Sequence, residues 1–133
     1  MSGRKLVFLG EDATLHHVGL ACSSIDEVLG ANVKIHDPIQ KVHVAFADMH
    51  GLPVELIEPA TPDSPVSASL AKGQKLVHAC YEVDDIRKSI ETAKKNGFHL
   101  LSQPVPATAF ENRPIAWLVH KVFGLIELVQ RAA

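Results

Sequence analysis

Two histidines and two glutamates occupy equivalent places in the two halves of the chain. His17 and His78 lie 61 positions apart, and each begins an apolar run with the composition of a strand. Glu55 and Glu127 each lie between apolar neighbours, in the segments VELI and IELV. Imidazole nitrogens and carboxylate oxygens together suit zinc, cobalt, nickel, manganese or iron. The repeat therefore predicts one divalent metal ion per site, with its remaining positions open to water or substrate.

The same four residues have a plainer interpretation when each is taken alone. A single histidine in an apolar strand is most often an ordinary core or surface residue, and a strand glutamate usually faces water. Four of them at repeat-related positions favour a metal site, because buried carboxylates without a charge partner are costly. Cys22 and Cys80 match no metal-binding spacing, and two cysteines are too few for a disulfide framework. A reducing compartment is expected.

The elements that must position these residues are clearest in the second half. Asp84 or Asp85 is expected to cap a helix that begins at Ile86 and stops at Gly97, because apolar residues fall on one face of that segment. Three short apolar runs with strand composition follow it. These predicted strands are His99–Leu101, Pro114–Val119 and Leu125–Val129. The second half is therefore predicted to be a β-α-β-β-β unit.

The first half reads as a trimmed copy of the same unit. Ser24 and Glu27 form a capping pattern, but Gly30 follows so soon that the helix is expected to have only about two turns. A linker helix is predicted after Ser64, with Pro65 at its first position. The predicted strands of the first half are Val33–His36, Lys41–Ala47 and Pro53–Glu58. We expect one domain over residues 1–133, with a first unit at about 14–60, a linker at 61–74 and a second unit at about 75–131.

Composition excludes several classes of partner. The chain has 133 residues, of which 47% are hydrophobic, and a net charge of -2 with acidic and basic residues interspersed. No basic face for nucleic acid and no polybasic membrane anchor is present in the sequence. The apolar run near the N-terminus breaks at Gly10, too early for a signal peptide. We therefore expect a cytoplasmic protein that binds neither nucleic acid nor membrane.

Five segments spanning residues 15–130 resemble the signatures of methylmalonyl-CoA epimerases, in the vicinal oxygen chelate (glyoxalase) superfamily. They are LHHVGLACSSID, PVELIEP, DSPVSASLAKG, LVHACYEVDDI and GLIELVQ. The strand motifs are also similar to those of glyoxalase I, whereas the Asp-Ser-Pro linker favours the epimerase. The resemblance implies an α+β fold in which two βαβββ units pair into a curved mixed sheet. It also implies that the metal ligands are His17, Glu55, His78 and Glu127.

The resemblance further implies an isomerase that inverts the carbon next to a thioester carbonyl through a metal-stabilised enolate. Glu127 would be both a metal ligand and the general base, and the substrate an acyl-CoA or related thioester. Some family members have a second glutamate on the third strand of the first unit, but the stretch KVHVAF has no carboxylate. His43 is expected to replace it, since imidazole titrates near neutral pH. A solvent-facing His43 is the alternative.

Other functions of the same fold remain open at this point. One is a glyoxalase I-like lactoylglutathione lyase, and another is a non-catalytic, resistance-type protein that binds a small molecule. Resistance-type members generally lack the metal, so the four retained ligand residues favour an enzyme. An extradiol dioxygenase needs an open iron site with two histidines and one carboxylate. Glu55 would be a fourth ligand, which disfavours this function. Eight short strands leave exposed sheet edges, so a homodimer is expected.

Overall fold

The structure is a computed structural model that describes residues 3–133. Strands and helices follow one another in the order predicted for two successive units. The first unit contains β1 (Thr14–Ala21), α1 (Ile25–Leu29), β2 (Ile35–Asp37), β3 (Val42–Met49) and β4 (Leu52–Pro59). The linker helix is α2 (Pro65–Ala71). The second unit contains β5 (Leu76–Val83), α3 (Ile86–Lys95), β6 (His99–Pro106), β7 (Pro114–His120) and β8 (Gly124–Gln130), with a 3-10 turn at Thr108–Phe110 before β7.

All eight of these strands form one mixed sheet in the order β2-β3-β4-β1-β5-β8-β7-β6. Within each unit the first and fourth strands pair in parallel, β1 with β4 and β5 with β8. The units meet where β1 pairs antiparallel with β5. The sheet curls so that β2, at one edge, contacts the 3-10 turn before β7. The predicted α+β fold, two βαβββ units in a curved mixed sheet, is confirmed.

The helices begin where the capping residues predict. Asp85 is the N-cap of α3, because its side chain accepts a hydrogen bond from the Lys88 amide. Ser24 caps α1 by accepting from the Glu27 amide, but α1 has only five residues and is shorter than the two turns expected. Ser64 occupies the N-cap position of α2 without making a side-chain capping bond. No helix within residues 3–133 has the length and apolarity needed to cross a bilayer.

Most strand bounds differ from the predicted ones by one or two residues, and those of β2 and β6 have identifiable causes. β2 begins two residues later than predicted and ends one residue later, at Asp37, whose Oδ1 accepts hydrogen bonds from the Ile39 and Gln40 amides. This turn stops the strand. β6 runs on to Pro106 with register irregularities on both sides of Ser102. Its extra length results from pairing with β7, which its local sequence does not reveal.

The two faces of the sheet have different roles. Apolar residues of α3, β7 and β8, including Ile90, Leu118 and Leu128, pack together on one face. Along β8 the side chains alternate, so Glu127 lies on the face opposite to Ile126 and Leu128. The same alternation in β4 separates Glu55 from Leu56. Both glutamates therefore face the concave side of the sheet, away from the core behind α3.

Candidate metal centre

The structure brings the four predicted ligand residues together in one buried cluster. The relative exposures of His17, Glu55, His78 and Glu127 are 0%, 5%, 5% and 3%. The His17 Nε2 atom lies 3.2 Å from His78 Nε2, 3.3 Å from Glu55 Oε1 and 3.4 Å from Glu127 Oε1. The His78 Nε2 atom lies 3.1 Å from Glu127 Oε1 and 3.6 Å from Glu55 Oε1. One candidate ligand atom from each residue thus points at a common centre.

Strand register explains why these side chains converge. On the central strands β1 and β5, His17 pairs with Cys80 and Gly19 pairs with His78. On the flanking strands, Glu55 pairs with Gly19 and Glu127 pairs with Cys80. The ligands therefore occupy two adjacent rows across four neighbouring strands, all on one face. Each unit contributes one histidine and one glutamate.

Gly19 is a further residue that this arrangement requires. A Cβ atom at position 19 would lie only 2.2 Å from Cε1 of the His78 ring, so the ring occupies the space that any larger residue would need. Gly19 was not among the predicted site residues. The available signal was a glycine inside an otherwise apolar strand, which often marks a close approach of another group.

The spacing of the cluster fits a bound divalent ion. An ion with bonds of about 2.0 to 2.2 Å places neighbouring ligands about 3.0 to 3.6 Å apart, according to coordination geometry. The observed separations of 3.1 to 3.6 Å fall in that range. Glu127 Oε1 is buried without a hydrogen-bond partner among the described residues, although two imidazole nitrogens lie within 3.4 Å of it. One ligand atom of each of the four residues lies within 4.8 Å of the others, as the ligands of one ion would.

The electrostatics of the four side chains agree with this geometry. Burial tends to lower the pKa of His17, but the nearby Glu127 and Glu55 carboxylates raise it to about 9. Burial tends to raise the pKa of Glu127, yet the two imidazoles lower it to about 2. Burial, with the nearby Glu127 charge, raises the pKa of Glu55. The two buried carboxylates thus require positive charge beside them, which a divalent cation would supply.

Neighbouring rings hold the ligand histidines in place. His16 Nδ1 lies 2.8 Å from His17 Nδ1, so the second nitrogen of His17 has a partner on the side away from the cluster. The Phe110 ring is stacked on His17 with a centroid separation of 5.9 Å. Trp117 contacts His78 edge to face at 4.8 Å. These aromatic contacts keep water away from the ligands and fix the orientation of both imidazoles.

Three residues of the cluster, Glu55, His78 and Glu127, line a cavity of about 480 Å³. Most of its wall is apolar, with Val42, Val44 and Ile57 from the first unit and Ile115 and Trp117 from the second. Apart from the cluster, its polar lining residues are Asp37, Gln40, Ser69 and Ser102. No lysine or arginine lines the wall within the part of the chain that the structure describes. The ligand atoms are thus accessible to a small molecule in apolar surroundings.

His43 does not reach this cavity. It pairs with Glu58 in the register of β3 and β4, and its ring packs on His36 with a centroid separation of 4.9 Å. Its neighbours Val42 and Val44 line the cavity, so alternation along β3 directs His43 to the opposite face. The position of His43 therefore does not support its predicted role as a second acid or base. The alternative, a histidine outside the site, agrees with the structure.

Comparison with known families identifies the fold. Residues 16–117 match the model of the Glyoxalase/Bleomycin resistance protein/Dioxygenase superfamily. The chain belongs to this superfamily. Its ligand cluster lies where the two units of the fold meet, and three of the four ligand residues fall inside the matched segment.

Individual relatives are similar over most of the chain. The ethylmalonyl-CoA/methylmalonyl-CoA epimerase of Cereibacter sphaeroides is 30% identical over 129 residues, 87% of this chain and 96% of the relative. The mitochondrial methylmalonyl-CoA epimerase of Mus musculus is 31% identical, covering 87% of this chain and 72% of the relative. A variant Streptomyces coelicolor methylmalonyl-CoA epimerase, solved with 2-nitronate-propionyl-CoA, has a TM-score of 0.72 at 26% identity, covering 90% of this chain and 97% of that one. These similarities support an epimerase-like enzyme.

Proposed function

We propose that this protein is a metal-dependent epimerase that inverts the carbon next to the carbonyl of a small acyl-CoA thioester. The observation that supports it most strongly is the buried cluster of two imidazoles and two carboxylates beside an apolar cavity. Removing a proton next to a thioester carbonyl moves negative charge onto the carbonyl oxygen, which requires a positive centre beside that oxygen. The relatives named above are epimerases of such thioesters.

The residues of the cluster would have distinct roles in metal binding and proton removal. His17, Glu55, His78 and Glu127 would hold a divalent ion of cobalt, zinc, nickel, manganese or iron, which would polarise the substrate oxygens and stabilise the enolate. Glu127 would take the α-proton, the role that the resemblance to the epimerases implies for the last-strand glutamate, and its carboxylate is buried at the cavity wall. Phe110 is buried, lines the cavity and stacks on His17, so an apolar ring lies beside the cluster.

The cavity favours a thioester of coenzyme A over a glutathione adduct. Glutathione has two carboxylates that a lyase must bind, whereas the described cavity wall has no cationic side chain. The acyl end of methylmalonyl-CoA would need only an apolar wall and the metal ion, which would bind its carboxylate and thioester oxygens. The glyoxalase I-like alternative is therefore disfavoured, and the intact cluster disfavours a non-catalytic binding protein.

Proton exchange tests this function directly. Protein that has been stripped and reloaded with each of the five ions is incubated with methylmalonyl-CoA in D₂O, and loss of the α-proton is followed by NMR. We expect exchange and inversion with at least one ion, and a fall of about 100-fold or more for Glu127→Gln, the usual size of a lost general base. Absence of exchange with every ion, in protein shown by mass spectrometry to be loaded, would overturn the proposal.

We also propose a homodimer. The strands β2 and β6 end the sheet, and Ile35 on β2 and Leu101 on β6 are exposed apolar residues on these edges. Such edges are commonly covered by a second copy. Sedimentation equilibrium should give twice the chain mass of 14.4 kDa. A mass of one chain at micromolar concentration would rule the dimer out.

A further inference from the structure

An epimerase needs a proton-transferring group on each side of the carbon that it inverts. Glu127 serves one side under the function proposed above, and His43 lies outside the cavity. Only three carboxylates line the cavity among residues 3–133, namely Asp37, Glu55 and Glu127. Since Glu55 and Glu127 belong to the ligand cluster, Asp37 is the remaining one. We propose that Asp37 is the second acid-base group of this site, an inference that rests on the proposed function.

The surroundings of Asp37 leave one of its oxygens available. Its Oδ1 atom accepts from the Ile39 amide at 3.0 Å and from the Gln40 amide at 3.1 Å. Within the described chain, Oδ2 has neither a hydrogen-bond partner nor an ion-pair partner. The nearby Lys41 is paired with Asp63 and does not neutralise it. Asp37 is only 3% exposed and lines the cavity, on the same face of the sheet as its register partner Val42.

Asp37 and Glu127 lie on different walls of the cavity. Asp37 ends β2, the edge strand of the first unit, whereas Glu127 is on β8 of the second unit. The curl of the sheet closes the two units around the cavity, and the Trp117 indole donates to Gln40 Oε1 at 3.2 Å across this closure. A molecule chelated at the cluster would therefore have Glu127 on one side and the β2 wall on the other.

Strand register sets the separation between Asp37 and Glu55, the cluster residue of the same unit. Asp37 pairs with Val42, and Glu55 pairs with Phe46, four residues further along β3. At about 3.3 Å per residue this separation is about 13 Å between backbone positions, before either side chain extends inward. Val44 lies between them on the same face, with an apolar side chain in place of an acid or base. Among the described residues, Asp37 is then the carboxyl group that lines the cavity outside the cluster, and a carboxyl group can accept or donate a proton.

The proton balance of the step is complete without another reactant. Glu127 removes the α-proton, and the electron pair of that C–H bond forms an enolate whose charge lies on the thioester oxygen. That pair then returns to the carbon and forms the new C–H bond with a proton from Asp37 on the opposite side. Glu127 ends protonated and Asp37 ends ionised. The other epimer uses the two carboxyl groups in reversed roles, or proton exchange with water restores the starting state. No oxidant or other co-reactant is needed.

The test compares Asp37→Asn with Asp48→Asn. Both aspartates accept backbone amides in turns beside β3, and the asparagine Oδ1 can still accept them, but Asp48 is exposed and does not line the cavity. For each metal-loaded protein and each epimer of methylmalonyl-CoA, deuterium exchange and inversion are measured separately in D₂O. In Asp37→Asn we expect exchange of one epimer with retention to continue while inversion falls about 100-fold or more, whereas Asp48→Asn keeps both rates within about twofold of the wild type.

The ratio of exchange to inversion distinguishes the possible outcomes. A fraction of misfolded or metal-free protein lowers both rates equally and leaves the ratio unchanged. An unchanged ratio in Asp37→Asn therefore overturns the inference, even if both rates fall. Metal content and the unfolding midpoint of Asp37→Asn should match the wild type, which excludes a merely structural role. If the wild-type protein itself exchanges no proton, the proposed function fails instead.

Discussion

The two βαβββ units contribute equally to the ligand cluster but unequally to the core. Each unit supplies one histidine and one glutamate, at matching register positions. Behind the second unit, the ten-residue α3 packs in a cluster of ten buried apolar residues. Behind the first, the five-residue α1 packs in a cluster of three, namely Ile25, Ala45 and Leu56. The two units thus contribute equally to the site although the apolar clusters behind them differ in size. We expect the second unit to be the more stable one.

The largest expected difference concerns two leucines at equivalent positions. Leu128 follows Glu127 in the large cluster and is 0% exposed, whereas Leu56 follows Glu55 in the small cluster and is 8% exposed. Leu128→Ala should lower the free energy of unfolding by about 3 to 5 kcal/mol, because its densely packed surroundings cannot collapse around the cavity. Leu56→Ala should cost about 2 kcal/mol, the low end of the same range.

Denaturant unfolding of both variants and the wild type measures this difference. Equal losses, or a larger loss for Leu56→Ala, would show that the two units are equally supported. The m-value should stay constant, since a change would indicate that the units unfold separately.

A second comparison concerns the residues opposite the two histidines. Gly19 lies opposite His78, and Cys80, its repeat equivalent, lies opposite His17. Gly19→Ala should weaken metal binding by about tenfold or more, because the new Cβ forces the His78 ring to move. Cys80→Ala adds no atoms and should keep the metal stoichiometry, with a loss of about 1 kcal/mol in stability from the small cavity.

Titration calorimetry with zinc distinguishes these outcomes. If Gly19→Ala binds zinc as tightly as the wild type, the backbone of β1 can shift to make room for the new Cβ. The close approach of His78 would then not be required for binding.

The smallest expected effect is a pH dependence confined to the first unit. Glu58 Oε1 accepts from the Ile25 amide at the start of α1, and Gln130 Oε1 accepts from the Ile86 amide at the start of α3, both at 2.9 Å. Burial tends to raise the pKa of Glu58, but the Ile25 amide and Lys34 lower it below 4.5. Its ionised form therefore stabilises the fold above pH 4.5, and this contribution is lost as the pH falls through the lower folded value.

Glu58→Gln should cost about 1 kcal/mol at pH 7, and the difference from the wild type should shrink steadily below pH 4.5. Gln130→Ala removes the equivalent bond in the second unit, and its cost should not depend on pH over this range. Thermal unfolding from pH 3 to 7 measures both. A cost of Glu58→Gln that does not change with pH would contradict the ionic contribution.

Local sequence signals predicted much of this architecture. Asp85 and the spacing of Ile86, Ile90 and Ala93 predicted α3, because capping and a 3.6-residue period depend on neighbours in the chain. α1 was overestimated, since Gly30 ends it within five residues. The bounds of β2 and β6 depend on hydrogen bonds to other strands, so their own residues did not define them.

The sequence by itself determined the repeat, and with it four ligand residues that the structure brings together; metal binding and the catalytic roles stay predictions. Only the tertiary structure decided which side chains face the cavity. Strand side chains alternate, so one residue of register separates Val42 and Val44 in the cavity from His43 outside it. Asp37 reaches the cavity through the curl of the sheet, and Gly19 matters through the approach of His78. Register, curl and close approach are set by contacts between strands distant in sequence, which no local pattern records.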